Sequence, residues 1–110
     1  MPNTAVQQDE WIKDTTTPEP AMNELLASRK SLYGPFRGQA EVAQNIKDAM
    51  KISTNWDSLE PYQKEGLEMV AHKIARMLNG SSLYEDNLVD IIGYTQRILE
   101  CTREDNGAEA

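Results

Sequence analysis

The stretch from residue 61 to residue 101 contains two amphipathic helical patterns, and these constrain the fold more than any other feature of the chain. Within each pattern, apolar side chains recur three or four positions apart, which places them on one face of an α-helix. The first pattern comprises Leu67, Val70, Ala71, Ile74, Met77 and Leu78. The second comprises Leu88, Ile91, Ile92, Thr95, Ile98 and Leu99. We therefore predict two helices whose apolar faces form the main seam of the core.

Two further helices are predicted upstream of this pair. The first begins after Pro20 and ends before Gly34 and Pro35, because a proline cannot continue a helix. A turn with the sequence Y-G-P-F-R-G then leads to the second helix, which is expected over about residues 39–51. The chain thus contains four helical segments with short links.

These segments define the domain organisation. Pro61 suits the first turn of the third helix, and Asp86 is placed to cap the fourth. Four helices with short connections predict an all-α fold, a small four-helix bundle over residues 21–101. Residues 1–20 and 102–110 lack apolar periodicity, so we expect disordered, flexible tails, the C-terminal one acidic.

The net charge of −7 comes from 18 acidic and 11 basic residues, and much of it lies near the ends of the chain. Residues 1–20 hold four acids and one base, and residues 101–110 hold three acids and one base. Direct nucleic-acid binding is disfavoured, because affinity for the phosphate backbone comes from clustered Lys and Arg. No apolar run approaches the roughly 18 residues of a membrane span and no signal-peptide pattern is present, so we expect a cytoplasmic protein without a membrane partner.

Some isolated residues have structural interpretations. Trp11 and Ile12 interrupt the polar N-terminal segment and are interpreted as docking on the helical domain, with docking on a partner as the alternative. The single cysteine, Cys101, cannot form an internal disulfide and is a poor start for a zinc site. Glu68 and His72, four positions apart, are interpreted as a surface pair, with a shared metal as the alternative.

Charged residues away from the main seam form the candidate site. Lys73 and Arg76 lie on a second face of the third helix, while Asp86 and Asp90 lie together on the fourth with Tyr94 on their flank. This arrangement predicts either a second packing surface, such as a dimer contact, or a pocket. The structural alternative is that Lys73 or Arg76 pairs with Asp90, with Asp86 acting only as a cap.

A local basic group surrounds the turn after the first helix. It consists of Arg29, Lys30 and Arg37. We interpret it as a solvated turn, with contact to an anion as the alternative. Arg37 joins the candidate ligand-binding or interface residues.

One set of motifs resembles a known family. The strings L-E-M-V-A-H-K-I-A-R-M-L and D-N-L-V-D-I-I-G-Y, with the earlier Y-G-P-F, resemble short, uncharacterised helical proteins encoded by bacteriophages and prophages. The resemblance covers roughly residues 22–100. It implies a phage accessory protein that acts in the cytoplasm of an infected bacterium.

A weaker resemblance is to the MazG-like all-α nucleoside triphosphate pyrophosphatases, which hold magnesium with E-x-x-E on one helix and E-x-x-D on the next. Glu65 and Glu68 match the first pair, and Asn87 and Asp90 occupy the second. This resemblance implies a Mg²⁺ site at Glu65, Glu68 and Asp90, because magnesium prefers hard oxygen ligands. Asn87 departs from the motif by removing one anionic ligand.

Three hypotheses for function follow, and none rests on a motif that names a reaction. The preferred one is a non-catalytic phage accessory protein that binds a host protein or sequesters a small anionic, nucleotide-like ligand, counteracting host defence. It would act as a homo-oligomer, because a small helical domain has limited area to bury. The alternatives are a Mg²⁺-dependent MazG-like pyrophosphatase and a nucleic-acid mimic that works through the acidic tails.

Overall fold

The computed structural model describes residues 20–107, which form four α-helices joined by short links. The elements are α1 (Pro20–Tyr33), α2 (Phe36–Lys51), a single 3₁₀ turn (Trp56–Ser58), α3 (Pro61–Asn79) and α4 (Asp86–Asp105). No strand occurs in this range, and the predicted all-α, four-helix fold is confirmed. None of the helices in the described range has the length and apolar content needed to cross a bilayer.

The helix boundaries differ from the predicted ones at two places. α2 begins at Phe36 instead of near residue 39, because Pro35 occupies the N-cap position and leaves only two residues to link α1 and α2. α4 continues to Asp105, into the segment expected to be a tail. Residues 1–19 and 108–110, which are expected to be tails, lie outside the described residues. The predicted docking of Trp11 and Ile12 falls in this part of the chain.

The starts of α3 and α4 are capped in different ways. At α3, the backbone N–H of Glu60 donates to the side-chain oxygen of Gln63 at 2.8 Å. At α4, Glu85 is the N-cap residue and Asp86 is the first helical residue. The Asp86 carboxylate accepts a hydrogen bond from the Tyr84 hydroxyl at 2.7 Å. The prediction that Asp86 caps α4 is therefore wrong, because the tyrosine takes up its carboxylate.

α3 is the central helix and packs against both α2 and α4. Gly66 lets α3 approach α4 closely, since a Cβ added there would lie 2.5 Å from Cδ1 of Ile98. Ala71 is 1% exposed and lines an apolar groove together with Ile46 and Met50 of α2. Small residues on two flanks of α3 thus set the distances between the helices.

The buried core is small for a domain of this length. Its apolar members are Ala43, Trp56, Ala71 and Ala75. Several residues of the predicted seam are instead exposed over 36% to 70% of their surface, namely Leu67, Ile74, Leu78, Leu88, Ile92 and Leu99. This part of the prediction is wrong, because the helices meet through the small residues that flank each stripe.

α1 is attached mainly through its C-terminal end, and most of its residues are exposed. The Asn79 side-chain amide donates to the carbonyls of Tyr33 and Pro35, both at 2.9 Å. The backbone N–H of Ser81 donates to the Leu32 carbonyl at 2.7 Å. These bonds fix the end of α1 beside the last turn of α3.

Two glycines permit this close approach. Gly34 has φ +78°, a conformation that side chains disfavour, and a Cβ there would collide with the Asn79 carbonyl. A Cβ at Gly80 would collide with the backbone of Leu32 and Tyr33. Gly34, after α1, therefore packs against the end of α3, and Gly80, after α3, packs against the end of α1.

Candidate functional site

A cleft of about 600 Å³ opens between the C-terminal half of α1, the start of α2 and the outer side of α3. We call it the cationic cleft. Its lining consists of Leu26, Arg29, Lys30, Tyr33, Gly34, Pro35, Phe36, Gln39, His72 and Arg76. The hydrogen bonds of Asn79 hold its walls together, because they connect the α1–α2 link to the end of α3.

Arg76 is the best-defined group of the cleft. Its guanidinium carbon lies 4.1 Å from the centre of the Tyr33 ring, a cation–π contact. The Tyr33 ring meets the Tyr84 ring edge-on at 5.9 Å, and Tyr84 is held by Asp86. That hydrogen bond raises the pKa of Tyr84 to about 12, so Tyr84 stays a neutral donor. The orientation of Arg76 is therefore set by two aromatic rings and a carboxylate behind them.

The Arg76 guanidinium is left without an acceptor among residues 20–107. Its Nε is buried and makes no hydrogen bond in this range, and neither ion pair of the described residues includes it. A buried donor without an acceptor is costly, so such groups commonly mark a binding site for a polar partner. A guanidinium in this state can donate to the oxygens of a phosphate or carboxylate.

Other basic side chains lie around Arg76. Arg29 and Lys30 line the same cleft from α1, and the described residues contribute no carboxylate to its lining. Burial lowers the pKa of His72, and the nearby charges of Arg76, Lys47 and Lys73 lower it further. His72 is accordingly neutral near pH 7 and can accept or donate one hydrogen bond at the cleft wall.

The structure pairs two of the predicted site residues with each other. Lys73 Nζ lies 2.8 Å from a carboxylate oxygen of Asp90, and the lysine side chain is 10% exposed. Lys73 does not line the cationic cleft, unlike Arg76 three positions later. For Lys73 and Asp90, the structural alternative of an ion pair between helices is therefore the one observed.

The remaining predicted site residues lie elsewhere. Asp86 supports Tyr84, as described above. Tyr94 lines a smaller cleft of about 300 Å³ with Asp90 and Arg97, whose guanidinium lies 5.7 Å from the Tyr94 ring centre. Arg37 is exposed and is not part of the cationic cleft lining. Of the predicted set, only Arg76 therefore lines the cationic cleft.

The carboxylates of the pyrophosphatase alternative do not gather. Within residues 20–107, no group of three or more His, Cys, Asp or Glu side chains is arranged to hold a metal. Glu68 lies 3.7 Å from Lys51 of α2, and Asp90 is paired with Lys73 on the α4 side. Asn87, which replaces an acid of the motif, is 1% exposed and lies in the core.

Sequence reasoning identified parts of the cleft but not their combination. The sequence favours a solvated turn for Arg29 and Lys30, with an anion contact as the alternative, and a surface pair with Glu68 for His72, with a shared metal as the alternative. The structure places all three basic residues beside Arg76. The sequence signal that could have indicated this arrangement is the glycine that follows each of the two helices, Gly34 after α1 and Gly80 after α3. These glycines allow the ends of α1 and α3 to pack closely together.

Comparisons with known proteins supply no further guide to this site. No protein-family model, no curated protein and no solved structure matches the chain.

Proposed function

We propose that the protein is a non-catalytic binding protein that holds a small anionic, nucleotide-like ligand in the cationic cleft. The observation that carries the proposal is the Arg76 guanidinium, which is oriented by Tyr33 but lacks an acceptor among the described residues. A guanidinium presents a planar fork of donors that matches phosphate and carboxylate oxygens. Arg29 and Lys30 add charge at the mouth of the same cleft.

The cleft also suits a planar group attached to the anion. Phe36 is 75% exposed and lines the cleft beside the Tyr33 ring and Leu26. An exposed aromatic ring offers a surface on which a base can stack, worth about 1–3 kcal/mol in single-stranded nucleic-acid complexes. The buried amide of Gln39 supplies both a donor and an acceptor for the edge of such a group.

The charge distribution favours a small ligand over a nucleic-acid chain. The protein has 18 acidic and 11 basic residues, so a long polyanion would meet repulsion outside the cleft. A mononucleotide or dinucleotide fits within about 600 Å³, a volume typical of small-molecule sites. Together with the resemblance to phage proteins, this favours sequestration of a nucleotide-like molecule in an infected bacterium, as a counter to host defence.

Calorimetric titration with a panel of ligands tests the proposal. The panel contains inorganic phosphate, pyrophosphate, nucleoside mono-, di- and triphosphates, and cyclic nucleotides. We expect at least one nucleotide to bind, and Arg76→Gln to raise its Kd by about 10- to 100-fold because a charge-assisted hydrogen bond is lost. Phe36→Ala should weaken nucleotide binding while leaving any binding of inorganic phosphate unchanged.

Arg97→Gln is the matched control, because Arg97 also lies against a tyrosine ring but lines the smaller cleft. It changes the net charge by the same amount as Arg76→Gln and should leave the Kd unchanged. Absence of binding across the panel contradicts the proposal. Equal weakening by both arginine variants would assign the effect to overall charge and contradict it as well.

A further inference from the structure

α3 and α4 each carry an apolar stripe that the described residues leave partly exposed. On α3, Leu67, Ile74 and Leu78 are 38%, 36% and 70% exposed. On α4, the stripe follows a four–three–four spacing through Leu88, Ile92, Thr95 and Leu99. Ile92 is 68% exposed at its centre. Such spacing is that of a seam along which another helix packs.

The two stripes lie on the same side of the helix pair. The contacts of Gly66 with Ile98, and of Lys73 with Asp90, fix which side of α3 faces α4 in this antiparallel pair. At about 100° per residue, the stripe on each helix lies roughly a quarter turn around the helix axis from these contact residues, in the same sense on both helices. Because the two helices run antiparallel, the same sense of rotation brings both stripes to the same side of the pair. The stripes therefore form one continuous surface, which we call the apolar face.

The apolar face extends onto α2. A groove of about 400 Å³ is lined by Ile46, Met50 and Trp56 together with Leu67 and Ile74 of α3. His72 and Arg76 lie on the opposite side of α3, where they line the cationic cleft. Among residues 20–107, the three packed helices thus have a charged side with the cleft and an apolar side that stays partly exposed.

The size of the apolar face matches that of a protein interface. α3 and α4 contain 19 and 20 residues, and a helix rises 1.5 Å per residue, so the face is roughly 30 Å long. Three helices at spacings of about 8–10 Å make it roughly 25 Å wide. The resulting area is close to the ~800 Å² that each partner contributes to a stable complex.

From these observations we infer that a second copy of this chain covers the apolar face, forming a symmetric dimer. α1 cannot cover it, because Asn79 and Ser81 hold the end of α1 on the cleft side. Residues 1–19 contain few large apolar side chains, chiefly Trp11 and Ile12, too few in number to match a face of this area. An identical face supplies matching stripes, as a two-fold interface requires.

The small size of the buried core also supports a dimer. Only four apolar residues are buried among residues 20–107, and three of them are alanines. Obligate dimers have interfaces that resemble a domain core cut in half. In this dimer, the leucine and isoleucine stripes of both copies complete the core that a single copy lacks.

Measurement of the mass in solution by light scattering tests the inference on the full chain. The wild type should have twice the 12.4 kDa mass of one chain, and Ile92→Lys should have the mass of one chain. Ile52→Lys is the matched control, because Ile52 is 87% exposed at the end of α2 and does not line the groove of the apolar face. It should remain a dimer.

Thr95→Arg provides a second variant, because Thr95 is exposed in one copy and an arginine there costs little unless a partner covers it. The Tm of the wild type should also rise with protein concentration, as it does for a dimer that unfolds to single chains. A wild type with the mass of one chain and a constant Tm overturns the inference. So does a dimer that survives both Ile92→Lys and Thr95→Arg.

Discussion

At the scale of single residues, the ion pair of Lys73 and Asp90 shows how a buried charge is accommodated between helices. The Lys73 side chain is 10% exposed, whereas that of Asp90 is 45% exposed, so the carboxylate remains partly hydrated. The two groups therefore depend on each other unequally. The ammonium loses far more when its partner is removed than the carboxylate does.

We expect Asp90→Asn to lower the free energy of unfolding by about 1–3 kcal/mol, since it leaves a buried ammonium without its counter-charge. Lys73→Met should cost less than about 1 kcal/mol, because Asp90 can remain hydrated. Urea denaturation of each variant measures both effects. Glu68→Gln is the control, because its partner Lys51 is 50% exposed and surface pairs contribute at most about 1 kcal/mol. A loss as large for Glu68→Gln as for Asp90→Asn contradicts this interpretation.

Residue-level prediction from the sequence succeeded where helical geometry alone decides which groups meet. The pairing of Lys73 with Asp90 was available as an alternative, because both lie off the main seam. The contact of Arg76 with Tyr33 was not predictable in this way. It depends on how α1 returns to the end of α3, and that path is set by backbone contacts of Gly34 and Gly80.

At the scale of secondary-structure elements, the four helices were predictable because apolar periodicity and prolines mark them in the sequence. The direction in which each helix faces was not. α3 packs against both α2 and α4, and its most deeply buried residues there include Gly66, Ala71 and Ala75, whereas Leu67 stays 38% exposed. A periodic pattern reports that a face is apolar, but small residues decide where two backbones come closest.

Two glycine variants test this account of helix packing. Gly66→Ala should destabilise the fold by about 1–2 kcal/mol, since the new methyl group meets Ile98 and the strain exceeds the gain in helix propensity. Gly93→Ala, on α4, should stabilise it by about 0.5–1 kcal/mol, because nothing lies near the added methyl group. Thermal unfolding at fixed protein concentration compares them. If both variants change the Tm by similar amounts, helix propensity alone explains the effect, and the packing role of Gly66 is contradicted.

At the scale of the whole molecule, the positive charges around the cleft act on stability through His72. Burial, followed by the charges of Arg76, Lys47 and Lys73, lowers the pKa of His72 in the folded protein below its usual value of 6.5. The unfolded chain therefore binds a proton more readily than the folded protein does. Stability from the neutral imidazole is fully present above pH 6.5 and declines as the pH falls below that value.

We expect the free energy of unfolding to fall between pH 7 and pH 5 in the wild type, and to fall less in His72→Gln. Denaturation at a series of pH values measures the two slopes. The carboxylates titrate in both proteins, so the difference between the slopes isolates the histidine. A steeper slope in His72→Gln than in the wild type contradicts the assignment.

The attachment of α1 at one end has a kinetic consequence. Most of α1 is exposed, and its hold on the rest of the protein is concentrated in the bonds of Asn79 and Ser81. Swinging α1 outward about Gly34 therefore breaks few buried contacts, and segments with few such contacts open at low free-energy cost. The residence time of a bound molecule would then be governed by how often α1 opens, and the hydrogen bonds of Asn79 would have to break each time.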